Sequence, residues 1–290
     1  MHVFSKLNLL RKYRGKCEKK FLEIDREKRR QPGHLFHDAA EDRFHARHKE
    51  KPLQAEDQVN SASYRLAFDD IDYLLADEQR PLRLLLELDK PETELKAHGI
   101  EHTVVIFGSA RTQESSPQYQ QAKELAEHIS KKYGCDNCPD LHVVTGGGPG
   151  IMEAANRGAD EAGYDSIGLN IVLPHEQYPN SFITPELCFR FHYFAIRKMH
   201  FLLRARAIVA FPGGFGTMDE VFEALTLVQT GKIEPLPILL FGSEYWQRLI
   251  NFDVFIEEGM ASRDDMEHFA FVDSVDEAWD IIRQSMVDEE

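Results

Sequence analysis

The sequence predicts an α/β fold in which a largely parallel sheet is covered by helices on both faces. Short β-branched apolar runs alternate with segments of helical periodicity from Thr103 onward. Three of those runs end in glycine or serine turns, at Gly108–Ser109, Gly146–Gly150 and Gly213–Gly216. In an open parallel sheet such strand ends share one edge and converge on one crevice. A chain of 290 residues is also long enough to bury one large core.

Each element follows in order. Val104–Phe107 reads as the first strand and runs into Gly108–Ser109–Ala110–Arg111, with a helix from about Pro117 to Tyr133. Leu141–Val144 is the second strand and leads into Thr145–Gly146–Gly147–Gly148–Pro149–Gly150. The next helix, Ile151 to Ala162, puts Met152, Ala155 and Ala159 on one face, and Ser166–Leu173 is a third strand ended by Pro174. Tyr193 to Ala205 is a helix that carries Arg197 and Lys198. Ala207–Phe211 is a buried strand, Pro212–Glu220 reads PGGFGTMDE, and Val221–Val228 resumes helical spacing. Pro237–Phe241 is a fifth strand, and helices at about Tyr245–Glu258 and Val275–Met286 close the chain.

Ahead of this pattern, residues 1–62 read as a basic, polar, partly ordered extension, with Leu7 to Ile24 as its candidate helix. Residues 63–290 read as a single domain with leading helices at 63–100. From Ser63 the spacing of Tyr64, Phe68, Ile71, Leu74 and Leu75 suits an amphipathic helix. A second apolar stretch, Leu82–Leu88, is entered through Arg80–Pro81 and closed by Lys90–Pro91. The expected architecture is one Rossmann-like core with an N-terminal helical extension.

A net charge of −15 argues against a broad nucleic-acid surface. The first 50 residues carry 14 Lys and Arg against 8 Asp and Glu, a net +6, so the other 240 hold −21. That basic segment reads as a solvated helical arm rather than an RNA or lipid contact. No run approaches the roughly 18 apolar residues of a membrane span, and Met1–Leu10 has too short an apolar core for a secretory signal. Cys17, Cys135, Cys138 and Cys188 do not suggest a disulfide framework in a chain this long, and a cytoplasmic location is expected. Cys135–Cys138 with His142 nearby falls short of four zinc ligands and reads as a helix-to-strand loop.

The turn at Gly213, Gly214 and Gly216 is where chemistry concentrates. Glycine there opens backbone angles closed to other residues and lets a ligand approach the main chain. The helix start that follows offers free N–H groups and the positive end of a macrodipole, a setting for phosphate. Thr217 and Glu220 have two readings: Thr-x-x-Glu is a capping box, and a carboxylate one turn beyond a phosphate loop reaches the sugar of a nucleotide. The dinucleotide fingerprint is absent, because the first turn has only Gly108 and Ile151 stands where the last glycine of the second belongs. Asn170 and Ile171 occupy the place of a ribose-binding acid, and no Gly-Lys-Ser/Thr marks a P-loop. A mononucleotide fits better, its phosphate over Gly214, Gly216 and Thr217.

The pattern Pro-Gly-Gly-x-Gly-Thr-x-x-Glu, preceded by Arg197–Lys198, resembles the Lonely guy (LOG) family, and the resemblance runs from about Thr103 to Phe241. Its members are phosphoribohydrolases of cytokinin riboside or purine nucleoside 5′-monophosphates, many once labelled lysine decarboxylases. The resemblance implies a catalytic pair at Arg197 and Glu220. It places Gly146, Gly147, Gly148, Gly150, Gly213, Gly214, Gly216 and Thr217 along the pocket, with Lys198 beside it. Ser109 is expected near base or sugar and Arg111 near the crevice rim, while Glu153 either meets ligand or stabilises a helix start. Leaving-base chemistry builds positive charge on the ribose; a carboxylate there stabilises it, holds a hydroxyl or activates water.

The Asn170–Asn180 region, with its Leu-Pro-x-Glu-Gln, resembles longer bacterial relatives, which makes AMP or a similar purine monophosphate the expected substrate. Neither metal nor cofactor is expected. Lys198 and Lys232 lack a recognisable pyridoxal phosphate setting. Homo-oligomers are implied by the relatives. The alternative is a non-catalytic nucleotide- or cofactor-binding carrier or sensor on the same fold.

Overall fold

The computed structural model describes residues 55–135, 137–173 and 178–287. The candidate helix Leu7–Ile24 lies outside them. The chain divides into two compact units, Met1–Ala76 and Asp77–Glu290. In the first, the short helices α1 (Glu56–Asn60) and α2 (Ile71–Leu75) flank 3-10 turns at Ala62–Tyr64 and Ala67–Asp69. The continuous amphipathic helix expected from Ser63 is therefore not formed. Arg65 and Leu66 take extended backbone angles, and the Asp70 carboxylate accepts from Tyr73 N, an N-cap that starts a new helix rather than continuing one. Tyr64, Phe68, Ile71 and Leu75 stay exposed.

The second unit opens with α3 (Arg80–Ala97), which runs straight through Pro91 instead of ending there. Proline removes one helical donor and so frees the carbonyl four residues back. That carbonyl, on Glu87, accepts from His200 Nε2 at 3.2 Å, so the lost bond is replaced from outside the helix. Then follow β1 (His102–Phe107), α4 (Pro117–Lys131), β2 (Leu141–Thr145), α5 (Ile151–Glu161), β3 (Ser166–Ile171) and β4 (Cys188–Phe191). The chain continues through α6 (Phe194–Leu202), β5 (Ala205–Ala210), α7 (Phe215–Gln229), β6 (Ile238–Phe241), α8 (Ser243–Leu249), α9 (Asp253–Glu257), β7 (Ala270–Val272) and α10 (Val275–Val287).

The seven strands are all parallel, in the order β4-β3-β2-β1-β5-β6-β7. β4 and β7 go beyond the five expected strands. They are four and three residues long and lie at the two edges, too short for a period-2 signal to emerge. The expected helix Tyr245–Glu258 is two helices, because the backbone turns extended at Ile250.

Side-chain alternation builds a layer on each face of the sheet. Val104, Ile106, Val143 and Val209 pack with Leu125 and Ile129 of α4, Ala155 of α5 and Ile282 of α10. Val105, Phe107, Val144 and Ile208 point the other way, toward Leu95 of α3, Phe201 of α6 and Ala224 and Val228 of α7. The chain winds outward from β1 to β4 and then returns to lay β5 on the other side of β1. The loops after β1 and β5 thus depart in opposite directions and leave a crevice at the carboxyl ends of the strands.

Cys135 and Cys138 are joined by a disulfide in the loop between α4 and β2, a bond the cysteine usage did not suggest. The loop brings their Cα atoms to 5.5 Å, within bonding range. Among the described residues no helix is long and apolar enough to cross a membrane.

Candidate active site

The crevice has a volume of about 1040 Å³ and is walled by the turns after β1, β2 and β5. These turns are bonded to one another. Ser109 N donates to Pro212 O at 3.1 Å, and Ile151 N donates to Ser109 O at 3.1 Å. Thr145 Oγ1 accepts from Gly147 N at 2.9 Å and donates to the buried Asn156 Oδ1 at 2.7 Å. Asn180 Nδ2 donates to Gly148 O and to Asn156 Oδ1, both at 3.0 Å. A buried, mutually satisfied polar network therefore braces the second turn.

Gly214 is the N-cap of α7, with no side chain capping it, and the first intrahelical bond runs from Met218 N to Gly214 O. Thr217 is thus the third helical residue, and the capping-box reading of Thr217 and Glu220 does not hold. The N–H groups of Phe215, Gly216 and Thr217 have no acceptor within the helix. Where a Cβ would stand on Gly214 or Gly216, nothing beyond the adjoining residues and the backbone of α7 itself lies within 4 Å. The main chain lies open on the crevice at this point.

Arg197 on α6 and Glu220 on α7 face each other, with Nη1 and Oε1 3.7 Å apart. Their side chains are only 11% and 10% exposed, so both charges sit largely out of water. At 3.7 Å the contact is too long for a hydrogen bond. Arg197 Nε instead donates to Leu169 O at 2.7 Å, and its guanidinium lies over the Phe201 ring at 5.0 Å. Burial pushes the Glu220 carboxyl up to about 7, against the pull of Arg197 and Lys198. Burial also lowers Arg197 from its ordinary value, against the support of Glu220.

Of the residues expected at the site, Ser109, Gly146, Gly148, Arg197, Gly213, Gly214, Gly216, Thr217 and Glu220 line this one crevice. Gly147 and Gly150 lie behind its wall. Both take positive φ, and a Cβ on Gly150 would stand 2.3 Å from Ser109 O. Glu153 accepts from Tyr119 OH at 3.0 Å and points to α4 rather than to the crevice. Lys198 is bound between Asp219 at 2.8 Å and Glu223 at 2.7 Å and lines a different groove. Sequence reasoning missed Asn170 and Tyr245, which also line the crevice. Asn170 packs its amide against Gly147, and the Tyr245 hydroxyl donates to Gly213 O. Tyr245 follows the end of β6, so extending the strand-end rule to a fourth turn would have found it.

Fold and crevice together define an open, doubly wound α/β protein with a small-molecule cleft at its topological switch point. The family model described as "possible lysine decarboxylase" matches residues 152–282. The cytokinin riboside 5′-monophosphate phosphoribohydrolase LOG3 of Arabidopsis thaliana is 28% identical over 163 residues, which cover 54% of this chain and 70% of that protein. LOG1 of the same plant is 33% identical over 129 residues, 42% of this chain and 58% of that protein. A solved molybdenum cofactor carrier protein from Chlamydomonas reinhardtii superposes with a TM-score of 0.44 at 22% identity, over 64% of this chain and 99% of that one. In sequence the chain is similar to the Lonely guy phosphoribohydrolases, as its motifs indicated.

Proposed function

We propose that this protein hydrolyses the N-glycosidic bond of a nucleoside 5′-monophosphate, giving free base and ribose 5-phosphate. The observation that carries the reading is the Arg197–Glu220 pair, largely buried and 3.7 Å apart, beside the open main chain that starts α7. In this reading the phosphate rests on the N–H groups of Phe215, Gly216 and Thr217 and on the Thr217 hydroxyl. The ribose then lies over Glu220. Water supplies a hydroxyl to C1′ as the C1′–N bond breaks, and the base leaves with the bonding pair and a proton. The ionised Glu220 stabilises the positive charge that develops on the ribose, in a site where little water screens it. Arg197, anchored at Leu169 O, keeps its outer nitrogens toward that carboxylate.

AMP is the first candidate substrate. A cytokinin riboside monophosphate, the substrate named for the plant relatives, is the second. The proposal needs no cofactor or metal, and it includes a homo-oligomer working in the cytoplasm. The test is incubation of the purified protein with AMP, GMP, CMP and a cytokinin riboside monophosphate, followed by chromatography. Free base and ribose 5-phosphate in equal amounts, lost in Arg197→Ala, are expected. Nucleotide binding with no base released from any of the four would defeat the hydrolase reading and favour a carrier.

A further inference from the structure

The charge inside the crevice points to one more ligand-binding residue. Among the crevice-lining residues, Arg111, Arg197 and Glu220 are the ones with charged side chains. Arg197 and Glu220 oppose each other and offset one another's charge. Arg111 is then the uncompensated cation of the site. Its own loop, residues 108–116, contains one acid, Glu114, and that acid is turned away. Glu114 Oε1 is bound by Arg157 Nη1 on α5, which is itself held by Glu161 at 2.7 Å.

The position of Arg111 is fixed while its side chain is free. Its backbone N donates to Ser109 Oγ at 3.1 Å, and Ser109 N in turn donates to Pro212 O, one residue before Gly213. The residue is exposed, and no ion pair holds its guanidinium among the described residues. In a chain with a net charge of −15 the long-range field repels anions. An anion held on the N–H groups of α7 would gain from a cation beside it, and Arg197 is already engaged.

Resting on the hydrolase reading above, we infer that Arg111 grips the 5′-phosphate of the substrate from the β1 side, opposite the N–H groups of α7. The guanidinium fork suits two phosphate oxygens at once, whereas a lysine offers only a point charge. Arg111 is thereby the residue that makes the site select a nucleotide over a nucleoside.

The experiment is calorimetric binding of ribose 5-phosphate, AMP and adenosine to the full chain and to Arg111→Gln and Arg111→Lys. A charge-assisted bidentate contact predicts a loss of roughly 10- to 100-fold in affinity for both phosphate ligands in Arg111→Gln. Adenosine binding should stay unchanged, and Arg111→Lys should fall between. Equal losses for adenosine and AMP would overturn the inference, because they put Arg111 on the base or sugar. Unchanged affinities throughout, or a wild-type chain that binds neither phosphate ligand, would overturn it as well. Ribose 5-phosphate is not turned over, so the result is independent of hydrolysis. A chain that binds it through Arg111 but cleaves no nucleotide loses the hydrolase reading alone.

Discussion

The two glycine turns, after β2 and after β5, look alike in sequence and differ in what their glycines are for. In the first, the protein itself demands them. A Cβ on Gly146 would stand 2.6 Å from Arg197 Nη2, and Gly147 and Gly150 take φ of 72° and 70°. In the second, only Gly213 is claimed by the protein, since its Cβ would stand 2.1 Å from Thr217 Oγ1. Gly214 and Gly216 meet nothing and take no positive φ. Glycine costs a helix roughly 0.5–1 kcal/mol against alanine, and the proposed phosphate contact would account for a glycine at position 216 that the fold itself does not require. One turn shapes the site and the other is left open to a ligand.

Substitutions can break that contrast. Among the glycines, the largest effect on turnover is expected at Gly146→Ala, whose methyl displaces the flexible ends of Arg197 and Met152 rather than any backbone. Misplacing Arg197 by about an ångström should lower kcat about 100-fold with the fold retained. Gly150→Ala meets backbone, Ser109 O, at positive φ and should instead lower unfolding free energy by roughly 2–5 kcal/mol, read by denaturant titration. Gly216→Ala should do the reverse. It stabilises the chain by roughly 0.5–1 kcal/mol while raising KM for AMP about tenfold. A Gly216→Ala chain with unaltered KM would mean that no ligand approaches α7 there.

Glu220 sharpens the contrast through pH. With its carboxyl held up at about 7 by burial and its ionised form doing the work, kcat should rise about tenfold per pH unit below that value and level off above it. A kcat that stays flat from pH 5.5 to 8.5 would remove Glu220 from the step. The stability consequence has the opposite sense. A raised carboxyl pKa contributes stability below the unfolded value, and that contribution is lost as pH rises through the folded one. Glu220→Gln, which imitates the neutral acid, should thus melt like wild type near pH 4. At pH 8 it should be more stable by about 3 kcal/mol.

The strand ends were legible because each is a local match of apolar run, glycine and helix start. β4 and β7 were not, since a strand of three or four residues owes its existence to the neighbour it pairs with. Pro91 misled because its effect on α3 depends on His200, 109 positions later, taking up the freed Glu87 carbonyl. Arg197 and Lys198 are adjacent in sequence but about 100° apart around a helix. One faces Glu220 in the crevice, and the other is held by Asp219 and Glu223. Spacing within a segment could not choose between them. Asn170 and Tyr245 reach the site only through sheet order and a hydrogen bond to Gly213 O, neither of which is written in local pattern.

The most direct test is single-turnover mixing of AMP with wild-type protein and with Glu220→Gln, following bound nucleotide and released adenine in the same samples. Glu220→Gln should bind AMP within about threefold of wild type and release adenine about 1000-fold more slowly, since it keeps the phosphate contacts and loses only the stabilising charge. Adenine release at the wild-type rate would contradict the account, because the bond would then be broken without the carboxylate on which the site is built.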